Sequence, residues 1–268
     1  MTSHPPKYRR PLNQHQIKLI QTLYKFRFAT AQLIAKSQAS KPRVILARLK
    51  ILVDQDYIGQ NYNSSYKIKG KPASYFLRLG GIRYLKQQPY ANKKVLDSVY
   101  HDKRASDPVI AHYLHVFNSY TEFKRLYVGK LKFYSKSELA SRQHMPSQLP
   151  DAYISLEDNK DASARHFFLE CFEDATEYRR LVNKIRQHIY YAEGDSWKSA
   201  FTQLPAILMV CESIKLKRRM IRIAERELQS SIADLQFLTT TSDKLSSSSG
   251  KEQAIWRDVT EPDKLISL

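Results

Sequence analysis

Six consecutive apolar residues, Ala206-Ile207-Leu208-Met209-Val210-Cys211, form a run of strand length with no polar position in it. A strand without alternation has no wet face, so it belongs at the centre of a sheet. Upstream of it, Ala175–Tyr191 places Tyr178, Leu181, Val182, Ile185 and Ile189 at helical spacing behind a capping-box pair, Asp174 and Glu177. Downstream, a helix over Lys215–Leu228 leads to Leu235–Thr240, read as a last strand. Ser246-Ser247-Ser248-Ser249-Gly250 reads as a flexible loop, and Trp256 beyond it as a buried anchor.

The same second half opens at Asp107-Pro108, a strong helix start. That helix runs to about Tyr127 with Ile110, Tyr113, Leu114, Phe117 and Tyr120 on an apolar face. Its other stripe, His112, His115, Ser119 and Glu122, reads as a solvated polar face, and without a CxxC or another close His/Cys pair zinc has little support. Strands follow at Leu131–Ser135, Ala152–Leu156 and Arg165–Phe172, the last two joined by a turn at Asp158-Asn159. The order α-β-β-β-α-β-α-β makes this an α/β (α+β) unit.

The first hundred residues follow a different pattern. Asn13 caps a helix to about Lys25, and Thr30 caps a short one over Ala31–Ser37. Ser40 and Pro42 start a third, Lys41–Gln55, with Ile45, Leu46, Leu49, Leu52 and Val53 on one face and Arg43, Ala47 and Lys50 on the other. Period two then takes over in Tyr57–Asn63 and Ala73–Leu79. Between these strands Lys67, Lys69 and Lys71 alternate, which in an extended hairpin sends all three to one side. Tyr62 and Tyr66 sit among them, placed either to pack on the sheet or to stack on a ligand. Gly80-Gly81 ends the second strand and Ile82–Gln88 forms a short helix. Three short helices and a basic hairpin resemble a winged helix-turn-helix, in which the third helix enters the major groove and the wing touches the backbone.

Charge points the same way. The chain of 268 residues carries a net charge of +18. Residues 1–100 hold 19 Lys and Arg against 3 Asp and Glu, and no carboxylate precedes Asp54. The remainder is close to neutral. A basic front half joined to a neutral back half is the footprint of a polyanion-binding module fused to a unit with another task. The expected DNA contacts are Lys41, Arg43 and Lys50 on the third helix and Lys67, Lys69 and Lys71 on the wing. This divides the chain into a DNA-binding domain over 12–88, a polar linker over 89–106 and a second domain over 107–260.

Other classes are excluded on elementary grounds. No run approaches the roughly 18 apolar residues of a spanning helix, no signal peptide is expected, and two cysteines cannot build a disulfide framework. A cytoplasmic location is therefore expected, with no membrane partner. No GxSxG, Walker loop or GxGxxG occurs, Cys171 and Cys211 lie in apolar strands, and Tyr190-Tyr191 lacks the histidine cluster of a tyrosine relaxase.

One constellation in the second half bears on chemistry. A hairpin turn near residues 160–161 pairs positions that place Asp151 across from Glu170. Opposed carboxylates repel unless one is protonated, a cation bridges them or both reach water. Pro150-Asp151, Leu169-Glu170, Thr176-Glu177 and Lys184 resemble the replication-relaxation family of plasmid and mobile-element proteins. So do Tyr75-Phe76-Leu77 leading to Gly80-Gly81, and the histidines of the second-half helix. The similarity spans roughly residues 12–260.

The resemblance implies a winged helix joined to a restriction-endonuclease-like, PD-(D/E)XK mixed sheet flanked by helices. In active nucleases of that superfamily an Asp and an Asp/Glu hold Mg²⁺ and a lysine positions the attacking water. Asp151 and Glu170 match the two carboxylates and thereby the metal ligands. The lysine expected two residues after the second carboxylate is replaced by Phe172, and Lys184 is the candidate substitute. The expectation is double-stranded DNA binding in plasmid or mobile-element replication initiation, relaxation or mobilisation, without cleavage, alongside a relaxase or replication protein or as a homodimer. The rivals are a Mg²⁺-dependent endonuclease using Asp151, Glu170 and Lys184, and a winged-helix transcriptional repressor whose back half oligomerises.

Overall fold

The computed structural model describes residues 11–62, 64–68, 70–157, 164–250, 253–261 and 263–268. The chain divides into two compact units at Leu114/His115. Lys69 and the Asp158-Asn159 turn lie outside the described residues.

In the first unit, α1 (Gln14–Phe26) starts on a reciprocal capping box between Asn13 and Gln16. The two-residue strand β1 (Ala29–Thr30) runs into α2 (Ala31–Ser37), where Thr30 Oγ1 accepts from the Leu33 amide. Helix α3 (Pro42–Asp54) follows, and it buries only Ile45, Leu49 and Leu52. Leu46, expected on that face, is instead half exposed, because α1 and α2 cover only a narrow stripe of the helix. Strands β2 (Ile58–Asn61) and β3 (Ser74–Leu77) then close an antiparallel sheet of order β1-β3-β2.

The connection between β2 and β3 corrects the expected extended wing. Ser64–Ile68 forms a helical turn, α4, so Lys67 and Lys71 do not leave an extended ribbon on one side. Gly70 follows it at φ +61°, a conformation that favours glycine.

The Gly80-Gly81 pair also departs from expectation. It lies inside helix α5 (Leu79–Lys86) rather than ahead of it. A Cβ on Gly80 would stand 2.5 Å from the Asp56 carbonyl oxygen, and one on Gly81 would stand 2.5 Å from that of Tyr57. Both amides donate to those carbonyls, at 3.3 and 3.2 Å. The glycines thus let a helix start press directly against the backbone entering β2. Gly81→Ala, which raises intrinsic helix propensity, should still destabilise the protein by about 1–3 kcal/mol. A urea midpoint equal to or above that of the wild type would rule this account out.

The expected linker is folded as well. Asn92 caps α6 (Lys93–Val99), which buries Leu96 and Val99, and a 3-10 turn follows at Asp102–Arg104. Asp102, fully buried, is the reason: it pairs with Arg27, whose Nε donates to Asp102 Oδ2 at 3.1 Å. Arg27 also donates to Tyr113 Oη (3.0 Å) and to the Ser98 carbonyl (3.2 Å).

Helix α7 (Asp107–Leu126) begins in the first unit and continues into the second. The second unit then runs β4 (Leu131–Ser135), α8 (Lys136–Leu139), β5 (Ala152–Glu157), β6 (Ala164–Phe172), α9 (Tyr178–Glu193), β7 (Ala206–Cys211), α10 (Ile214–Gln229) and β8 (Phe237–Thr241). Beyond it lie α11 (Ser242–Ser247), β9 (Trp256–Asp258) and β10 (Leu265–Ile266). The strands form one seven-stranded sheet, β10-β9-β8-β7-β6-β5-β4, with β6, β7 and β8 parallel and the flanking pairs antiparallel. The apolar run 206–211 is its central strand. Helices α9 and α10 cover one face of this sheet through Leu181, Ile185, Met220 and Ile223, packed on Phe168, Met209 and Phe237.

Three expectations for this unit change. Strand β8 is not the last: β9, which carries the fully buried Trp256, pairs with it, and β10 forms the edge beyond. Part of the serine-rich segment is helical: α11 ends there, and Arg125 donates to the carbonyls of Leu245, Ser246 and Ser248. Finally, Asp174 and Glu177 do not form a capping box. Glu177 is the N-cap of α9 without a side-chain bond, and Asp174 instead accepts from Ser213 Oγ at 2.6 Å. With the helix starting at Tyr178, that ring is half exposed rather than inward.

Candidate functional site

The first candidate surface lies on α3. Pro42 at its first turn needs no amide partner, so the helix begins without a side-chain cap and Lys41 stays free at its exposed start. Because the buried stripe is only Ile45, Leu49 and Leu52, the opposite side is open: Arg43, Val44, Ala47, Lys50 and Ile51 are all exposed. Among the described residues Lys41, Arg43 and Lys50 have no acidic partner. The helix therefore presents cations interleaved with small and branched apolar groups.

The β2–β3 connection adds a groove of about 430 Å³ whose lining includes Thr30, Tyr62, Tyr66, Lys67 and Lys71. Lys67 Nζ stands 5.6 Å from the Tyr62 ring centroid and Lys71 Nζ 5.8 Å from that of Tyr66. The two tyrosines differ: Tyr66 is buried and bonds Asp107, whereas Tyr62 is half exposed. Burial and the Asp107 carboxylate hold the Tyr66 phenol above its ordinary pKa. Lys71 is 3.7 Å from Asp107, so its charge is partly met within the protein, while Lys67 projects into solvent.

The second candidate is the carboxylate pair. The β5–β6 register pairs Ala152 with Leu169 and Tyr153 with Phe168, which sets Asp151 opposite Glu170 as the hairpin arithmetic requires. Both are buried. Lys184 reaches them from α9: its Nζ is 3.0 Å from each Glu170 oxygen and 3.5 Å from the Leu149 carbonyl. Burial lowers the Lys184 pKa, but Glu170 and Asp151 more than offset this and raise it above the ordinary value. His188, one turn further along α9, places Nε2 2.7 Å from Glu170 Oε1. A carboxylate only accepts, so Nε2 carries the proton and the buried Nδ1 is left without a partner among the described residues. Asp151 Oδ2 accepts from the Cys171 amide at 2.9 Å. Phe172, at the position where a lysine was expected, is packed into the core.

This donor set does not fit a hard divalent cation. Such an ion needs about six oxygen ligands, most of them reachable by water. Here both Glu170 oxygens are taken by Lys184 and His188, and Glu170 is only 1% exposed. No group of three or more His, Cys, Asp or Glu among the described residues is placed to hold a metal. The ammonium of Lys184 contacts Glu170 directly and feels the Asp151 charge as well, which relieves the repulsion between the two carboxylates.

A third polar constellation was not anticipated. The α7 stripe expected to be solvated is buried at Ser119 and Glu122, and His115 is only 10% exposed. His115 Nδ1 is 2.9 Å from Glu173 Oε1 and Nε2 is 2.8 Å from Ser242 Oγ. Glu173 follows β6 and Ser242 follows β8, so one imidazole clamps two parallel strand ends to α7. Polar residues spaced as an outer stripe read as solvated until a partner for each is known, which is why the sequence concealed this.

Among the described residues, no helix is long and apolar enough to cross a membrane. No protein-family model matches this chain, and no curated protein or solved structure is significantly similar to it.

Proposed function

We propose that this is a double-stranded DNA-binding protein whose first unit acts as a winged helix, with α3 in the major groove and the β2–β3 connection on the backbone. The observation that carries the reading is the outward side of α3, where Lys41, Arg43 and Lys50 have no acidic partner among the described residues. Val44, Ala47 and Ile51 between them supply the apolar contacts that thymine methyl groups take in a major groove, while Arg and Lys suit guanine edges or phosphates. Three helices packed on a small β1-β3-β2 sheet are compatible with that docking mode. The second unit, on this reading, is a nuclease-like scaffold in which Lys184 takes the place of a metal. It serves plasmid or mobile-element replication, relaxation or mobilisation together with a relaxase or replication protein, or as a homodimer.

The test is a gel-shift titration at several salt concentrations. Replacing both Arg43 and Lys50 with Ala should weaken binding and reduce the slope of log affinity against log salt by about 1.8, two released counterions at roughly 0.9 each. An unchanged affinity and slope would remove α3 from the interface. In a parallel arm, supercoiled plasmid incubated with the protein and Mg²⁺ should stay supercoiled. Nicking that disappears in Asp151→Ala would replace this reading with the endonuclease one.

A further inference from the structure

The second unit is close to neutral as a whole, but its charge is not spread evenly. Helix α10 carries Lys215, Lys217, Arg218, Arg219, Arg222 and Arg226 against Glu225 and Glu227. At about 100° per residue, Lys215, Arg218, Arg219, Arg222 and Arg226 fall within an arc of about 100°. The buried residues Leu216, Met220, Ile223, Ala224 and Glu227 occupy the opposite side. Lys215, Arg218 and Arg222 are exposed, and among the described residues none of these three has an acidic partner.

Helix α9 packs beside α10 and continues the surface. Its Arg179, Asn183 and Arg186 lie on one exposed stripe. The outward sides of the two helices are contiguous because α9 and α10 lie side by side on the same face of the sheet. At their junction the buried Glu227 of α10 is bound by Arg186 of α9 (2.6 Å) and by Arg226 (3.1 Å). One carboxylate held by two guanidinium groups leaves that junction positive as well. Arg226 also donates to Tyr178 Oη at 2.9 Å, which fixes its fork along the groove between the helices.

We propose that the outer surface of α9 and α10 is a second phosphate-contacting site, and that its ligand is the backbone of duplex DNA. The cations without an acidic partner among the described residues, Lys215 to Arg222, extend about 10 Å along the helix. A duplex strand presents about three phosphates over that length. Arginine predominates in the stripe, and arginine forks match phosphate oxygens in pairs. An anionic membrane is the poorer ligand, since insertion needs an apolar face beside the basic one, whereas the exposed large apolar groups of α9 and α10 are Tyr178, Tyr190 and Ile214, scattered at the helix ends. The choice of DNA over other polyanions rests on the reading of the first unit given above.

The test uses the full chain. Arg218→Ala together with Arg222→Ala is compared with Lys198→Ala together with Lys264→Ala, which removes the same charge from residues already paired with Asp195 and Glu261. Between 50 and 200 mM salt the wild type should lose about twelvefold more duplex affinity than the Arg218/Arg222 variant, the consequence of two fewer phosphate contacts. The Lys198/Lys264 variant should follow the wild type. The inference fails if the two variants have the same salt slope. It also fails if the Arg218/Arg222 change abolishes pelleting with phosphatidylserine vesicles and leaves DNA binding intact. Loss of binding here combined with no effect of Arg43→Ala and Lys50→Ala would keep this surface and reject the α3 interface, so the two proposals fail separately.

Discussion

Lys184→Met should destabilise the protein by about 3–5 kcal/mol, because it leaves Glu170 and Asp151 buried side by side without their cation. Removing one partner of a buried ion pair costs more than the pair contributes, since the survivor keeps its desolvation penalty. Glu170→Gln added to Lys184→Met should therefore recover most of the loss, and a double-mutant cycle in urea measures it. The pH signature has a definite sign. In the wild type the Lys184 pKa lies above its ordinary value, so its contribution is complete below about pH 10.5 and is lost as pH rises through the folded-state value. In Lys184→Met the penalty falls on a carboxylate, so the gap to the wild type should narrow as the solution is acidified. A single-variant cost under about 1 kcal/mol, with no coupling in the cycle, would mean that the ammonium is not what neutralises the pair.

Asp102→Ala should have an effect of similar size for the same reason. It strands the Arg27 guanidinium, which among the described residues keeps Tyr113 Oη and the Ser98 carbonyl as acceptors. About 3 kcal/mol is expected, and it should appear locally. The amides of α6 and the 3-10 turn should lose hydrogen-exchange protection, because Asp102 is the residue that fastens this segment to Arg27. Arg27→Lys should not substitute, since a point charge cannot engage Asp102, Tyr113 and Ser98 together. Melting and exchange profiles indistinguishable from the wild type would show that burial of Leu96 and Val99 alone holds the segment.

These two ion pairs mark different limits of legibility. The partners of Lys184 were readable, because strand register is arithmetic: once the hairpin is centred, Asp151 must face Glu170, and helical period brings Lys184 and His188 onto the flank of α9 that meets it. Arg27 and Asp102 are 75 residues apart with no periodicity linking them. Asp102 sits in a stretch whose polar composition reads as linker, and only packing reveals that it is interior. The stripe on α10 failed for another reason. Its spacing of three and four was in plain view, but net charge summed over half the chain averages a cationic helix surface against acids elsewhere.

Local chemistry determined a good deal on its own. Asn13 and Thr30 start helices because their side chains can satisfy free amides next to them, and the run at 206–211 is a central strand because it has no side that tolerates water. Charge placement likewise needs no fold to be read. Tertiary structure decided what each polar group meets: that Gly80 and Gly81 serve a backbone contact with Asp56 and Tyr57, that the wing coils into a turn at Ser64, and that His115, Ser119 and Glu122 face inward. A polar side chain carries the same chemistry in water and in a core. Its role is set by partners distant in sequence, and those exist only once the chain has folded.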